Sequence, residues 1–171
     1  MMIREYFVGD WDKVNDLLIQ LQKHLISVDY EHVQILNEQY GKKYLNKLLE
    51  LLSKNSGKLF VAENDGQLCG MVAGIIEPKD EDDYLTNRCP KRGKVVELVV
   101  SEHTRSQGIG NKLLRTVEDY FREQGCEFVC VDVFAPNLGA LRFYEGAEYS
   151  TRNIEMYKHL HPVSKRGEYN E

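Results

Sequence analysis

An apolar run, Val95-Val96-Glu97-Leu98-Val99-Val100, feeds a polar turn carrying Arg105, Gln107, Gly108 and Gly110, and an apolar periodicity then resumes at Ile109, Leu113 and Leu114. Strand, glycine-bearing turn and helix in that order make an anion site. The first helical turn leaves its N–H groups unpaired and carries the positive end of the helix dipole, which together favour a phosphate or pyrophosphate. Glycine at 108 and 110 lets such a ligand approach the backbone. Two common phosphate loops are excluded by the same residues. A Walker A loop requires Gly-Lys followed by Ser or Thr, whereas Gly110 is followed by Asn111-Lys112-Leu113. A dinucleotide fingerprint requires a third glycine where Leu113 stands.

Glu97 is the only charged residue inside the run 95–100. A carboxylate buried there would have a raised pKa, suited to accepting a proton. Strand alternation places it on the face of Val99, opposite Leu98 and Val100. Its alternative roles are pairing with a structural arginine or shaping a pocket. Asp132, in the apolar run 129–133, is a weaker candidate for the same proton, and ordered water is another.

These residues need a scaffold, and the hydrophobic pattern supplies one. Residues 3–8 read as a strand that breaks at Gly9-Asp10, where Asp10 is placed to cap a helix. Val14, Leu17, Leu18, Leu21 and Leu25 then recur at helical spacing, as do Tyr44, Leu45, Leu48, Leu49 and Leu52. Strands over 58–63 and 67–76 flank Asn64-Asp65-Gly66, a hairpin turn signal. Gly70 and Gly74 mark a bulge or close packing. A strand over 93–100, a helix over 108–124 stopped by Gly125, a strand over 127–134 and a short helix over 138–145 follow. Tyr149 and the stretch 153–160 read as closing strands. The order β-α-α-β-β-β-α-β-α-β-β predicts an α/β fold: one mixed, mostly antiparallel sheet of six to seven strands flanked by about four helices. One domain is expected over 1–161, with a flexible tail over 162–171.

Set in this context, Arg105-x-x-Gly108-x-Gly110 resembles the acetyl-coenzyme A signature of the GNAT superfamily, the Gcn5-related N-acetyltransferases. One helix and one strand downstream, Asn137-Leu138-Gly139-Ala140-Leu141-Arg142-Phe143-Tyr144-Glu145 resembles that family's Asn-x-x-Ala-x-x-Phe-Tyr-Glu helix. The resemblance implies that backbone amides of Gln107, Gly108, Ile109, Gly110, Asn111 and Lys112 hold a pyrophosphate, with Arg105 at the loop. It implies that Leu98, Val99 and Val100 pair with the pantetheine arm like an added strand, and that the N–H of Val99 or Val100 steadies the acetyl oxygen. Asn137 would touch the arm or neighbouring backbone, Ala140 and Phe143 would line it, and Tyr144 would protonate the departing thiolate. Without the motif, Tyr144 reads as a core aromatic. The family usually continues Tyr-Glu-Lys-x-Gly-Phe, but here Gly146 falls two positions early and Glu148 stands in the usual glycine position.

The implied activity is transfer of acetyl from acetyl-CoA, a co-substrate, to a primary amine by direct attack in a ternary complex. A small amine or amino-acid derivative is the expected acceptor. A protein N-terminus or lysine, or non-catalytic acyl-CoA sensing, are the alternatives. An unrelated nucleotide-binding domain would require the glycine loop to be a chance match.

Composition narrows the partners. The 171 residues carry a net charge of −5, which gives nucleic acid no basic field to follow. Cys69, Cys89, Cys126 and Cys130 form no Cys-x-x-Cys pair, and His159-Leu160-His161 has no third ligand, so no metal is expected. The cysteines read as reduced thiols of a cytoplasmic protein. No signal peptide or membrane span is expected. Asp80-Glu81-Asp82-Asp83 reads as a solvated loop, or as a lure for a cationic amine. A monomer or homodimer is compatible with the closing strands.

Overall fold

The computed structural model describes residues 1–78, 85, 88 and 90–160. Its chain runs β1 (Met2–Glu5), α1 (Trp11–Val28), α2 (Tyr40–Lys54), β2 (Lys58–Asn64), β3 (Gln67–Ile76), β4 (Arg92–Val100), α3 (Ile109–Glu123), β5 (Phe128–Val131) and α4 (Leu138–Gly146). Single 3-10 turns precede α1 at Val8–Asp10 and follow β4 at Glu102–Thr104. The acidic run 80–83, Cys89 and the tail 162–171 lie outside the described residues.

The strands form one sheet in the order β1-β2-β3-β4-β5. Pairing is antiparallel except between β4 and β5, which are parallel. The β2–β3 turn has Asp65 at φ 50° and Gly66 at φ 77°. Two left-handed residues give a turn whose twist matches the strands it joins.

Each face of the sheet carries a core. On one side α1 and α2 bury Val14, Leu17, Leu18, Leu45, Leu48 and Leu52 against Leu59, Val61, Met71 and Val99. On the other, α3 buries Leu113, Leu114, Val117 and Phe121 against Val72 and Val95. Each such side chain contributes roughly 1.5–3 kcal/mol when fully removed from water. Gly74 and Gly93 admit Phe121: a Cβ on either would lie 2.4 or 2.3 Å from its ring.

A register shift opposite Ala73 and Gly74 leaves Val96 as a bulge on β4. Val95 therefore packs toward α3, while Val96 and Val99 pack toward α1 and α2. Glu97 emerges on the α2 side, the face of Val99, as strand alternation requires. The strong local twist of a bulge also swings the strand away from its neighbour. Pairing of β4 with β5 covers only Arg92, Gly93, Lys94 and Val95.

Three expectations are corrected. The described residues hold a five-stranded sheet, not six to seven strands. The stretch 153–160 alternates like a strand but lies exposed without regular structure. Period-two alternation shows that a segment can be a strand; a partner edge must still hold it, and β5 is only four residues long. Asp10, at the N-cap of α1, makes no side-chain cap bond. Its carboxylate instead takes the Arg4 guanidinium at 2.7 and 2.9 Å and the Phe7 N–H at 3.1 Å. Among the described residues, no helix is long and apolar enough to cross a membrane.

Candidate active site

Beyond Val95, β4 keeps β3 on one edge and has no β5 partner on the other. The Ser101 N–H donates to the Cys69 carbonyl, which sets the alternation. Ser101, Val99 and Glu97 direct their backbone groups to β3, whereas Leu98 and Val100 direct theirs to the open edge. Of the two amides singled out from sequence, that of Val100 faces the cleft and that of Val99 does not.

The open edge leads into the loop before α3. Arg105 folds back over it, its Nε donating to the Val100 carbonyl at 3.4 Å, with Glu102 3.9 Å from the guanidinium. Ser106 at φ 62° and Gly108 at φ 75° bracket Gln107. Nothing lies within 4 Å of the position a Gly108 Cβ would take, so this glycine answers to backbone conformation and leaves an open approach. The first helical bond of α3 runs from the Lys112 N–H to the Gly108 carbonyl. The amides of Ile109, Gly110 and Asn111 precede it and remain free for an anion. The Lys112 amide is spent in the helix, which removes it from the predicted set. Ile109 contributes backbone alone, its side chain being buried.

Gly110 is small for a different reason than expected. A Cβ there would come 3.1 Å from the Phe143 ring and 3.7 Å from Val100. It lets α3, α4 and β4 meet, and it does not open the loop.

Asn137 caps α4: its Oδ1 accepts from the Ala140 N–H at 3.2 Å and lies 3.4 Å from His24 Nε2 of α1. Ala140 and Phe143 pack on the α3-side core, where Tyr144 is buried. The helix ends in a Schellman turn. Glu148 stands at φ 67°, its N–H bonds to the Glu145 carbonyl, and the Tyr149 N–H bonds to that of Tyr144. Glu148 thus adopts the left-handed conformation that the usual glycine would supply. The accompanying apolar contact is Tyr149 on Tyr144, with ring centroids 5.4 Å apart. Tyr144 is held in place despite the displaced glycine.

Glu97 is only partly exposed and accepts a hydrogen bond from the Tyr44 hydroxyl of α2. Burial pushes its carboxyl above the usual carboxylate range, and the Tyr44 bond pulls the other way. Tyr40 stacks on Tyr44 at 4.9 Å, and its phenol is pushed up to about 12 by burial and by the Glu97 charge. Burial, then the same charge, also raises the Tyr144 phenol. These phenols therefore keep their protons at neutral pH. Asp132 is 87% exposed and paired to Lys94 at 2.6 Å.

Tyr44, Tyr40 and His24 were not singled out from sequence as site residues. Tyr44 had been absorbed into the apolar stripe of its helix. The Tyr40/Tyr44 spacing, one helical turn, was the available signal.

A central sheet split between β4 and β5, free helix-entry amides at the cleft and a partly buried acid on the same strand form the arrangement that the sequence resemblance led us to expect. The Acetyltransferase (GNAT) family matches residues 22–149, and the chain belongs to that family. An uncharacterized N-acetyltransferase of Methanocaldococcus jannaschii is 30% identical over 96 residues, 56% of this chain and 54% of that protein. The chain spans about half the length of the curated relatives it matches. Among solved structures, the tetramutant of a Bacillus halodurans protein has a TM-score of 0.79 at 19% identity, covering 94% of this chain and all of that one. An aminoglycoside N-acetyltransferase solved in complex with CoA has a TM-score of 0.66 at 15% identity, covering 92% and 98%. At these identities the likeness is one of fold.

Proposed function

We propose that the chain transfers the acetyl group of acetyl-CoA to a primary amine by direct attack within a ternary complex, the acceptor being a small amine or amino-acid derivative. The observation that carries this reading is the open edge of β4, where the Leu98 and Val100 amides run toward the free amides of α3, with Glu97 on the same strand. Strand-edge groups suit the amides of a pantetheine arm, and a helix entry suits a pyrophosphate. Acetyl-CoA supplies an acyl group activated as a thioester.

The residues divide the work. Ile109, Gly110 and Asn111 bind the pyrophosphate through N–H groups, with Gly108 giving access. Asn137, Ala140 and Phe143 border the arm. The Val100 N–H donates to the acetyl oxygen as negative charge develops there. Glu97, ionised, takes the proton that the amine loses as its nitrogen bonds to the acetyl carbon. Tyr144, whose phenol burial keeps protonated, gives a proton to the sulfur as the carbon–sulfur bond breaks. One C–N bond forms, one C–S bond breaks, and free thiol leaves.

The test is calorimetric titration with acetyl-CoA, using ATP and NAD as controls, followed by thiol release across an amine panel. Selective acetyl-CoA binding with amine-dependent thiol release is expected. Absence of binding at millimolar acetyl-CoA overturns the reading.

A further inference from the structure

Tyr40, Lys43, Tyr44 and Lys47 recur along α2 at three- and four-residue spacing, so they share a stripe. The neighbouring stripe, Leu45, Leu48 and Leu52, is buried in the core. The first stripe lines an open groove of about 460 Å³, which Asn37 and Gln39 border from the preceding loop. Two phenols form one wall, stacked 4.9 Å apart. Tyr44 lines the groove and its hydroxyl donates to Glu97, so the carboxylate lies directly behind this wall.

The rim is charged with the opposite sign. Lys43 and Lys47 are exposed one turn apart, and neither forms an ion pair with another described residue. Like charges at that spacing repel and destabilise a helix slightly. The groove therefore has a phenol bonded to a carboxylate on its wall, a second ring stacked on that phenol, and two ammonium groups at its mouth that no described residue pairs. A ligand complementary to all three has a cationic or neutral nitrogen at one end and an anion at the other. A polyamine would set its second cation against the lysines.

We propose that this groove is the acceptor subsite and that it takes a primary amine bearing a carboxylate or phosphate, the amine toward Glu97 and the anion toward Lys43 and Lys47. The inference rests on the acetyl-transfer reading only for what happens to the amine; anion selectivity is a property of the groove itself.

The full chain, with and without coenzyme A, is titrated with ω-amino carboxylates and ω-aminoalkyl phosphates of increasing length, matched amino alcohols, and putrescine. The anionic series is expected to bind about five- to twentyfold more tightly than the matched amino alcohols, the range open to two exposed ion pairs. That advantage falls toward one in the double variant K43Q/K47Q and in 0.5 M salt. Comparing the two anionic series identifies carboxylate or phosphate as the preferred group. Equal binding of the amino alcohols or putrescine, no binding of any anionic probe, or a ratio unchanged in the double variant overturns the proposal. Anion-selective binding without amine-dependent thiol release keeps this proposal and overturns the transferase reading. Thiol release that is fastest with putrescine or an uncharged amine does the reverse.

Discussion

Replacing Glu97 by glutamine separates its chemistry from its place in the fold. The change keeps the shape and the capacity to accept from Tyr44, and removes the charge. If Glu97 takes the amine proton, kcat/KM falls about 10²–10⁴-fold, the usual worth of a positioned general base, or about 3–5 kcal/mol in barrier. Stability moves the opposite way. The carboxyl is raised above its ordinary pKa by burial, so the folded state holds this proton more tightly than the unfolded chain does. The stabilisation is present below the unfolded pKa and is lost as pH rises through the folded one. Glutamine carries no such penalty, so E97Q melts at the same temperature as the parent or higher at neutral pH, and the gap closes in acid. The parent's activity should fall as pH drops through the raised pKa of Glu97. In Y44F this limb moves to higher pH, because the Tyr44 bond is what lowers that pKa. Thiol release across pH and thermal melts on the same samples read all three effects. Full activity in E97Q, or an acid limb unmoved in Y44F, refutes the assignment.

Three further outcomes follow from the geometry. Arg4→Met strands the Asp10 carboxylate, 3% exposed, without its guanidinium, and should cost about 3–5 kcal/mol in urea denaturation at neutral pH. The deficit shrinks in acid, because Asp10 is held below the usual carboxylate range by Arg4 and the pair's contribution is lost as pH falls through that lowered pKa. Glu148→Gly relieves a left-handed residue at φ 67°, and the reduced strain outweighs the added chain entropy to stabilise by up to about 1 kcal/mol in the same assay. Gly108→Ala, at φ 75° with no neighbour to strike, imposes backbone strain alone; a cost of about 1 kcal/mol is expected, together with weaker acetyl-CoA binding by calorimetry.

What was legible in the sequence is what local chemistry determines. The helix entry at Gly108 and the turn at Asp65-Gly66 each depend on a few adjacent residues, and the chain forms them where their types stand. The buried stripes of α1, α2 and α3 were legible because periodicity reports a face directly. The stretch 153–160 was misread because alternation tests a strand's own pattern and not whether a neighbour offers an edge. Tyr44 was hidden because a phenol on an apolar stripe looks like packing until its hydroxyl has a partner.

The bulge at Val96 was only half legible: Gly74 marked its place on β3, but the extra residue on β4 is a property of the pairing of two strands, and no single segment encodes it. Yet it governs the site twice. By inserting one residue opposite Ala73 and Gly74 it puts Val95 toward α3 and Val96 toward α2, with Glu97 left beside Tyr44. At the same point β4 loses β5, so the amides of Leu98 and Val100 are left for a ligand. The placement of the acid and the opening of the cleft share this irregularity. A substitution that restored regular pairing there would be expected to disturb both together, even with every side chain of the site intact.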